Sequence, residues 1–386
     1  MKSSVKLAAC LIATLCGCMT SAQVAYAQGG AVSQPSISPA AYVYVISNPS
    51  GNSYEVDGYS ADSTGALTRL AGSPFWKTTN TLLAMAHTAH WLFVSDEAHI
   101  YSFSIASNGA LKQVSSVNAA QYYGFPGFTG GDLVFDHTGS TLYALAFDGT
   151  GDNEFQFFNK NSTTGALSFI GSTGTDISYG ELVFTGNNQF AYGFGCFQAE
   201  SHFYGFKREM DGTLTRLNAT DPIPTYPNGD FCQAASAPNP ANNLAVAMYL
   251  ETRTQPPSPP AWLAVYAADS SGNLTTKSTS TNMPTAAVGS VNNMLASPKG
   301  NLLAIGGSSG LQVFHFNGSN PITPYTGLLA THEIRQILWD THDHLYGISQ
   351  SSGRLYAFKI TTTGHKQAAG SPYSITNPRV ITVLSK

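Results

Sequence analysis

Short runs of β-branched and aromatic residues recur along the chain, separated by turns rich in Gly, Asn, Asp and Ser. The stretch 132–169 shows the pattern clearly, because its apolar runs of three to five residues are each interrupted by turn residues. Such runs are typical of strands in an antiparallel β-meander. No window of helical length has apolar residues at spacings of three and four, so we predict an all-β fold.

A second regularity coincides with the strand pattern. One short pattern occurs seven times between residues 65 and 364, and its clearest copy is Gly65-Ala66-Leu67-Thr68. Two of the seven copies are divergent. These 299 residues in six steps give a period of about 50, within the range of β-propeller blades. Since each repeat carries four strand signals, we predict seven four-stranded antiparallel blades. The copies begin at Gly65, Gly109, Gly165, Gly212, Gly272, Asn320 and Gly364.

The first repeat lacks an inner strand, and the end of the chain offers one. Residues 42–46 match the second strand of the other repeats, whereas residues 379–384 form a β-branched run without a blade of their own. Pairing these two segments would close the ring and remove two exposed sheet edges. The sequence thus predicts a seven-bladed β-propeller over residues 41–386, with N- and C-terminal strands sharing blade one.

The first 40 residues follow a different pattern. Two lysines precede an apolar run from Leu7 to Leu15, and Ala25-Tyr26-Ala27 is a small-x-small cleavage site. These features predict a secretory signal peptide over residues 1–27. Residues 28–40 are rich in Gly, Ser and Pro and are predicted to be a flexible linker.

The cysteines leave two questions open. Leu15-Cys16-Gly17-Cys18 resembles a lipobox, which would leave a lipid anchor on Cys18 instead of a free N-terminus after Ala27. Both interpretations predict an exported protein, either periplasmic or secreted, or lipid-anchored in the envelope. Cys196 and Cys232 are predicted to lie on one face of adjacent blades, where export permits a disulfide; two buried thiols are the alternative.

Charge excludes several classes of partner. Charged residues make up 10% of the chain and the formal net charge is −4, so no basic face is predicted for nucleic acid. No later stretch is long and apolar enough for a membrane span. We expect a monomer.

The repeated markers, together with Tyr42-Val43-Tyr44-Val45, resemble the bacterial seven-bladed propeller lactonase family, which is related in fold to 6-phosphogluconolactonases. The resemblance covers nearly the whole chain after the signal peptide. It implies that His, Arg and Glu side chains from several blades meet at the mouth of the central channel. Inner strands of that family commonly begin with a Pro-Arg-His-Leu-like sequence.

This chain departs from the family at the histidine position, just before the first apolar residue of each inner strand. No histidine occupies it in any repeat. The resemblance therefore implies a related propeller without the family's usual catalytic His set. The seven positions hold Leu82, Asp132, Glu181, Gln233, Asn293, Gln336 and Val380.

Five of these seven residues are polar, and we expect them to point into the central channel. They are candidates for binding a small molecule or a protein at the channel mouth, together with the aromatic loop residues Tyr122 and Tyr123. A water-filled channel and an inter-blade aromatic cap are the alternatives. Asp132 and Glu181 fall in neighbouring blades and could bind a cation or share a proton, and no other cofactor is predicted.

The resemblance also implies a second function, hydrolysis of sugar-derived lactones. Glu181, Glu333, Arg335 and Arg379 are then the candidate catalytic residues at the mouth, because they match the family's acidic and basic types. Two histidine pairs, His87/His90 and His342/His344, are predicted to be surface turn residues rather than metal ligands, since neither has further ligands at a recognised spacing.

Overall fold

A computed structural model describes residues 38–123, 131–147, 153–173, 181–197, 200–218, 222–252 and 255–386. Apart from one 3₁₀ turn at Ala119–Tyr122, the regular secondary structure of these residues is all β-strand. The strands form seven antiparallel sheets, six of them built from consecutive strands and the seventh joining strands from both ends of the chain. The predicted all-β, seven-bladed propeller is confirmed. The signal peptide, most of the linker and Cys18 lie outside the described residues.

Each blade runs from an inner strand at the channel to an outer strand. Blade two comprises Ala84–His87, Trp91–Ser95, His99–Ile105 and Leu111–Asn118. Blade three comprises Leu133–Phe135, Thr141–Phe147, Asn153–Lys160 and Leu167–Ser172. Blade four comprises Leu182–Phe184, Phe190–Phe197, Glu200–Arg208 and Leu214–Arg216.

The remaining complete repeats follow the same order. Blade five comprises Gly229–Pro238, Asn243–Thr252, Gln255–Ala268 and Leu274–Thr276, with Thr285–Ala286 also on its third strand. Blade six comprises Val291–Ala296, Leu302–Gly307, Gly310–His315 and Thr323–Pro324. Blade seven comprises Gln336–Trp339, His344–Ser349, Arg354–Thr361 and Gly364–Gln367, with Tyr373–Ser374 on its third strand.

Blade one is closed by both ends of the chain, as predicted. Its inner strand is the C-terminal Pro378–Ser385, which pairs antiparallel with Ala41–Ser47. The sheet continues through Tyr54–Ala61 to Leu67–Arg69, and Trp76–Thr78 also pairs with the third strand. Both closing strands are rich in Val, Ile and Tyr, residues that favour a pleated, buried surface.

Apolar layers between neighbouring blades hold the ring together. At the junction of blades seven and one, Val43 and Ile381 pack with Tyr346 and Ile348, and all four are fully buried. Burying one such side chain contributes roughly 1.5–3 kcal/mol. The closing strands are therefore part of a core and not a loose tail.

In blades one to five the recurring glycine is explained by the way the outer turn packs onto the preceding blade. Gly165 adopts φ +71°, and a Cβ built on it would lie 2.5 Å from the Trp91 ring of blade two. A side chain at this position would meet both the left-handed backbone and the ring. Elsewhere the turn carbonyl is an acceptor: the Tyr44 hydroxyl donates to Gly109 O at 2.8 Å.

Candidate ligand site at the channel mouth

The inner strands surround a cavity of about 740 Å³ at the end of the channel where they begin. We call it the mouth cavity. All seven blades contribute to its wall, and its volume lies in the usual range for small-molecule sites. Its polar and charged lining residues are Glu97, Asp132, Glu181, Asn292, Asn293, Glu333, Arg335, Gln336 and Arg379.

A second cavity of about 320 Å³, here the lower cavity, continues along the channel. Five residues line both cavities, so their side chains mark the level at which the two meet. They are Met85, Asp132, Glu181, Asn293 and Gln336. Thus four of the five polar residues that were predicted to point into the channel lie at one level of it.

Three of these side chains hydrogen-bond across to the next blade. Glu181 Oε2 accepts from the Ser236 N–H at 3.1 Å, and Asn293 Oδ1 accepts from the Ile337 N–H at 3.0 Å. Gln336 Oε1 accepts from the Ile381 N–H at 2.8 Å, at the closure of the ring. The free edge of an inner strand leaves backbone N–H groups unpaired, and buried N–H groups require acceptors. An acceptor side chain just before the first apolar residue of the inner strand meets this need.

Asp132 and Glu181 form a carboxyl pair on neighbouring blades. Burial raises the pKa of Glu181 to about 8, with the Ser236 N–H opposing the rise and the charge of Asp132 adding to it. Burial likewise raises the pKa of Asp132 to about 6, against a hydrogen bond from the Leu133 N–H. At neutral pH the pair therefore holds one proton, mainly on Glu181.

The opposite wall of the mouth cavity carries Arg335, Arg379 and Glu333, and we call it the basic wall because its formal net charge is positive. Arg335 Nε donates to Arg379 O at 2.8 Å, and its Nη1 donates to Gln350 Oε1 at 3.2 Å. Burial and the nearby Arg379 charge lower the pKa of Arg335, while Glu333 opposes this effect. Glu333 itself accepts from the Ser351 N–H at 3.2 Å. The four residues implied as catalytic by the family resemblance therefore all line one cavity.

This arrangement can act on a ligand in two ways. The guanidinium groups of Arg335 and Arg379 can bind an anionic or carbonyl oxygen through forked N–H donors. Glu181 in its protonated form can donate a hydrogen bond or a proton, and ionised Asp132 can accept one. The aromatic residues Phe147 and Phe194, from the second strands of blades three and four, also line the cavity.

The structure places three of the predicted ligand-binding residues away from the mouth cavity. A β-bulge between Gln233 and Ala235 shifts the register of blade five, and Gln233 is buried while Ala234 and Ala235 line the cavity. Tyr122 stacks on Phe169 with ring centroids 4.2 Å apart.

Tyr123 is buried in the apolar layer between blades two and three. Of the two interpretations of the aromatic loop, the inter-blade cap describes these two tyrosines, and residues 124–130 lie outside the described part of the chain. Blade two also departs from the predicted alignment. Leu82, which was aligned with the family's histidine position, is buried among core residues of blades one and two. Met85 takes the channel position there.

The prediction of surface turn histidines is wrong for one member of each pair. His344 is fully buried; its Nδ1 lies 2.7 Å from Asp340 Oδ2, and its Nε2 lies 3.2 Å from Ser63 O. Both partners offer acceptor oxygens to the ring, one from a carboxylate and one from a backbone carbonyl. His87 lines the lower cavity, where burial lowers its pKa.

The described residues contain no group of three or more His, Cys, Asp or Glu side chains that could hold a metal ion. Within the same residues no helix has the length and apolarity required to cross a membrane. Cys232 lies in the inner strand of blade five and Cys196 in the second strand of blade four, as predicted. The side chain of Cys196 is outside the description, so the disulfide stays a prediction.

No family model and no curated protein matches this sequence. Solved structures do match. A proposed 6-phosphogluconolactonase of Bacteroides fragilis gives a TM-score of 0.63 at 12% identity, covering 91% of this chain and 100% of its own. Another from Bacteroides uniformis gives 0.63 at 13%, covering 89% and 99%. Hydrazine synthase of Kuenenia stuttgartiensis gives 0.53 at 12%, covering 87% and 99%. At such identities the likeness establishes the propeller fold, which hosts different functions.

Proposed function

We propose that this protein is an exported β-propeller that binds a small organic anion in the mouth cavity. One observation carries the proposal: Arg379 lines the cavity, and no described side chain forms an ion pair with its guanidinium. Arg379 is half-buried, so water hydrates its charge only in part and an anionic partner inside the cavity is favourable. A carboxylate or phosphate of a ligand supplies that partner.

The surrounding residues support the same proposal. Arg335 stands beside Arg379 and adds a second positive charge, while Asn292 and Asn293 offer amide groups to ligand hydroxyls or carbonyls. The apolar surface of Phe147 and Phe194 provides contact area for the body of a small molecule. Small ligands bind where a few directed polar groups stand in a largely preformed cavity.

Binding is tested by thermal unfolding in a panel of carboxylates that includes hexanoate, gluconate and citrate. A ligand that binds only the folded state stabilises it by about 2.7 kcal/mol at a hundredfold excess over Kd. Arg379→Gln should abolish the stabilisation, while Arg216→Gln, an exposed arginine on the outer strand of blade four, should retain it.

Hydrolysis of sugar-derived lactones is the second candidate function. It is favoured by the presence of Asp132 and Glu181 in the same cavity as two arginines, and by the fold shared with proposed 6-phosphogluconolactonases. In this reaction Asp132 would take a proton from water as the water oxygen attacks the carbonyl carbon. Arg335 and Arg379 would stabilise the oxyanion, and Glu181 would protonate the ring oxygen as its bond to carbon breaks.

A lactone panel that includes glucono-1,5-lactone tests this second function. Turnover above the spontaneous rate, lowered about a hundredfold or more by Glu181→Gln, would support it. Turnover no faster than the spontaneous reaction removes hydrolysis and leaves binding as the function.

Export and its consequences belong to the same proposal. The signal sequence directs the chain out of the cytoplasm, and the oxidising compartment permits the Cys196–Cys232 disulfide. Mass spectrometry of the exported protein distinguishes an N-terminus at Gln28 from a lipid-modified Cys18. A chain retained with Met1 would overturn the export proposal.

A further inference from the structure

We propose that the ligand of the mouth cavity is a zwitterion, with its anionic group against Arg379 and an ammonium group against Asp132. This inference rests on the proposed function and narrows its ligand class. It starts from the placement of charges around the cavity, to which Glu97 of blade two and Glu333 of blade seven also contribute acidic groups. Asp132 and Glu181 line the cavity from blades three and four, and Arg335 and Arg379 line it from blades seven and one. In a ring of seven these two pairs of blades stand on opposite sides of the channel.

The acidic wall lacks a cation of its own. Asp132 accepts a hydrogen bond from the Leu133 N–H at 2.8 Å, and Glu181 accepts from the Ser236 N–H. No described Lys, Arg or His forms an ion pair with either carboxyl group. Since Glu181 retains its proton more strongly than Asp132, the charge of this wall at neutral pH resides on Asp132.

The basic wall is likewise open to an anion. Arg335 already uses two of its donors on Arg379 O and Gln350 Oε1, which fixes its orientation. The Arg379 guanidinium has no hydrogen-bond acceptor among the described residues, so its forked donors are available for a bidentate carboxylate.

Asp132 and Arg379 carry opposite charges on opposite walls of one cavity, and neither has an ion-pair partner among the described residues, so few ligands complement both. A simple anion satisfies Arg379 and leaves Asp132 unpaired. A dianion such as citrate brings a second negative charge toward Asp132, which repels it. A zwitterion satisfies both walls and places its uncharged body against Phe147 and Phe194.

The test uses ω-amino acids from 4-aminobutanoate to 8-aminooctanoate, each compared with its N-acetyl derivative and its carboxamide. The span between the two walls selects the chain length, so one or two members should bind most tightly by isothermal titration calorimetry. Capping either end of the best member should weaken binding about tenfold or more, since each cap removes one charge-assisted hydrogen bond.

Variants assign each end of the ligand to a wall. In Asp132→Asn the N-acetyl derivative should bind about as well as the free amine, while the carboxamide stays weak. In Arg379→Gln the carboxamide should bind about as well as the free amino acid, while the N-acetyl derivative stays weak. Asp230→Asn, an exposed acid on the inner strand of blade five outside the cavity lining, should leave both preferences unchanged.

The outcomes separate this inference from the proposed function. If the N-acetyl derivative binds as tightly as the amine to the unmodified protein, or if hexanoate binds and no amino acid binds better, the zwitterion inference is wrong and anion binding stands. If no member of the series binds and hexanoate, gluconate and citrate do not bind either, the result contradicts both proposals.

Discussion

Glu181 Oε2 accepts a hydrogen bond from the backbone N–H of Ser236 at 3.1 Å, across the junction of blades four and five. The same side chain lines both channel cavities. One carboxyl group thus has a structural task, capping a strand edge, and a position from which it can contact a ligand. Glutamine preserves the acceptor and removes the ionisation, so Glu181→Gln separates these two roles.

The stability of the protein should fall as pH rises through the titration of Glu181. The folded-state pKa of about 8 lies above the ordinary 4.5, so between these values the folded chain holds a proton that the unfolded chain has released. The contribution is full below pH 4.5 and is lost toward pH 8. Glu181→Gln should flatten this decline and exceed the wild-type stability at pH 9 by on the order of 2 kcal/mol.

Urea unfolding between pH 5 and pH 9 measures this difference. Asp230→Asn provides the control, because its exposed side chain should leave the pH profile as it is. Parallel profiles for Glu181→Gln and wild type would contradict the burial of an ionisable Glu181.

Gly165→Ala should destabilise the protein by about 2–4 kcal/mol, because the new Cβ meets both a left-handed backbone and the Trp91 ring. Gly51→Ala is a matched control with φ +81° and no atom within 4 Å of the built Cβ. It should cost only about 1–2 kcal/mol for the backbone conformation. Thermal unfolding of both variants measures how much stability depends on the contact between the Gly165 turn and Trp91. Equal losses would show that Gly165 is needed only for the conformation of its own turn.

His344→Phe should cost about 3–5 kcal/mol, because it removes the ring that hydrogen-bonds the buried Asp340 carboxylate. His342→Phe, an exposed neighbour in the same turn, should change stability by about 0.5 kcal/mol or less. Chemical denaturation compares the two, and similar small effects would contradict a stabilising hydrogen bond at the junction between blades seven and one.

Asp340 should also make the stability of the junction between blades seven and one fall at acid pH. Burial alone would raise the pKa of Asp340, but hydrogen bonds from the His344 ring and the His344 and His342 N–H groups outweigh it and hold the pKa below the ordinary 3.8. The ionised carboxylate therefore stabilises the fold above pH 3.8, and this stabilisation is lost as pH falls through the lower folded-state value. Wild type should lose stability over that acid range more steeply than Asp340→Asn, as measured by unfolding between pH 2 and pH 5.

A Cys196–Cys232 disulfide would close a loop of 35 intervening residues and contribute roughly 3–4 kcal/mol in the chain-entropy model. Reduction should then lower the unfolding temperature of wild type and leave Cys196→Ser unchanged. Intact-mass measurement with and without reductant provides the direct count. Two free thiols in the oxidised protein would remove this prediction.

The fold could be predicted from sequence because each blade repeats the same local pattern. Glycine turns and β-branched runs such as 379–384 specify strands whatever their neighbours are, and ring closure follows from the strand missing in blade one. The channel level was predictable for Asp132, Glu181, Asn293 and Gln336, because alternation along a strand fixes which face a residue occupies.

The sequence pattern predicted the wrong position for other residues, where the structure is irregular or a distant contact decides. The bulge at Gln233 shifts the alternation of blade five by one residue, and the sequence gives no sign of it beyond two alanines. Tyr122 and Tyr123 pack on a neighbouring blade, which depends on the tertiary contact with Phe169 and its layer. The burial of His344 was missed because it depends on blade one, whose Ser63 O contacts the ring only when the propeller closes; Asp340 lies in the same turn as His344.

The most direct test of the account is calorimetric titration of wild type and Arg379→Gln with the hexanoate, gluconate and citrate panel. The account predicts that at least one carboxylate binds wild type and that Arg379→Gln weakens this binding about tenfold or more, while Arg216→Gln does not. Binding that survives Arg379→Gln unchanged, or its absence across the panel, would contradict the proposal of an anion site at the channel mouth.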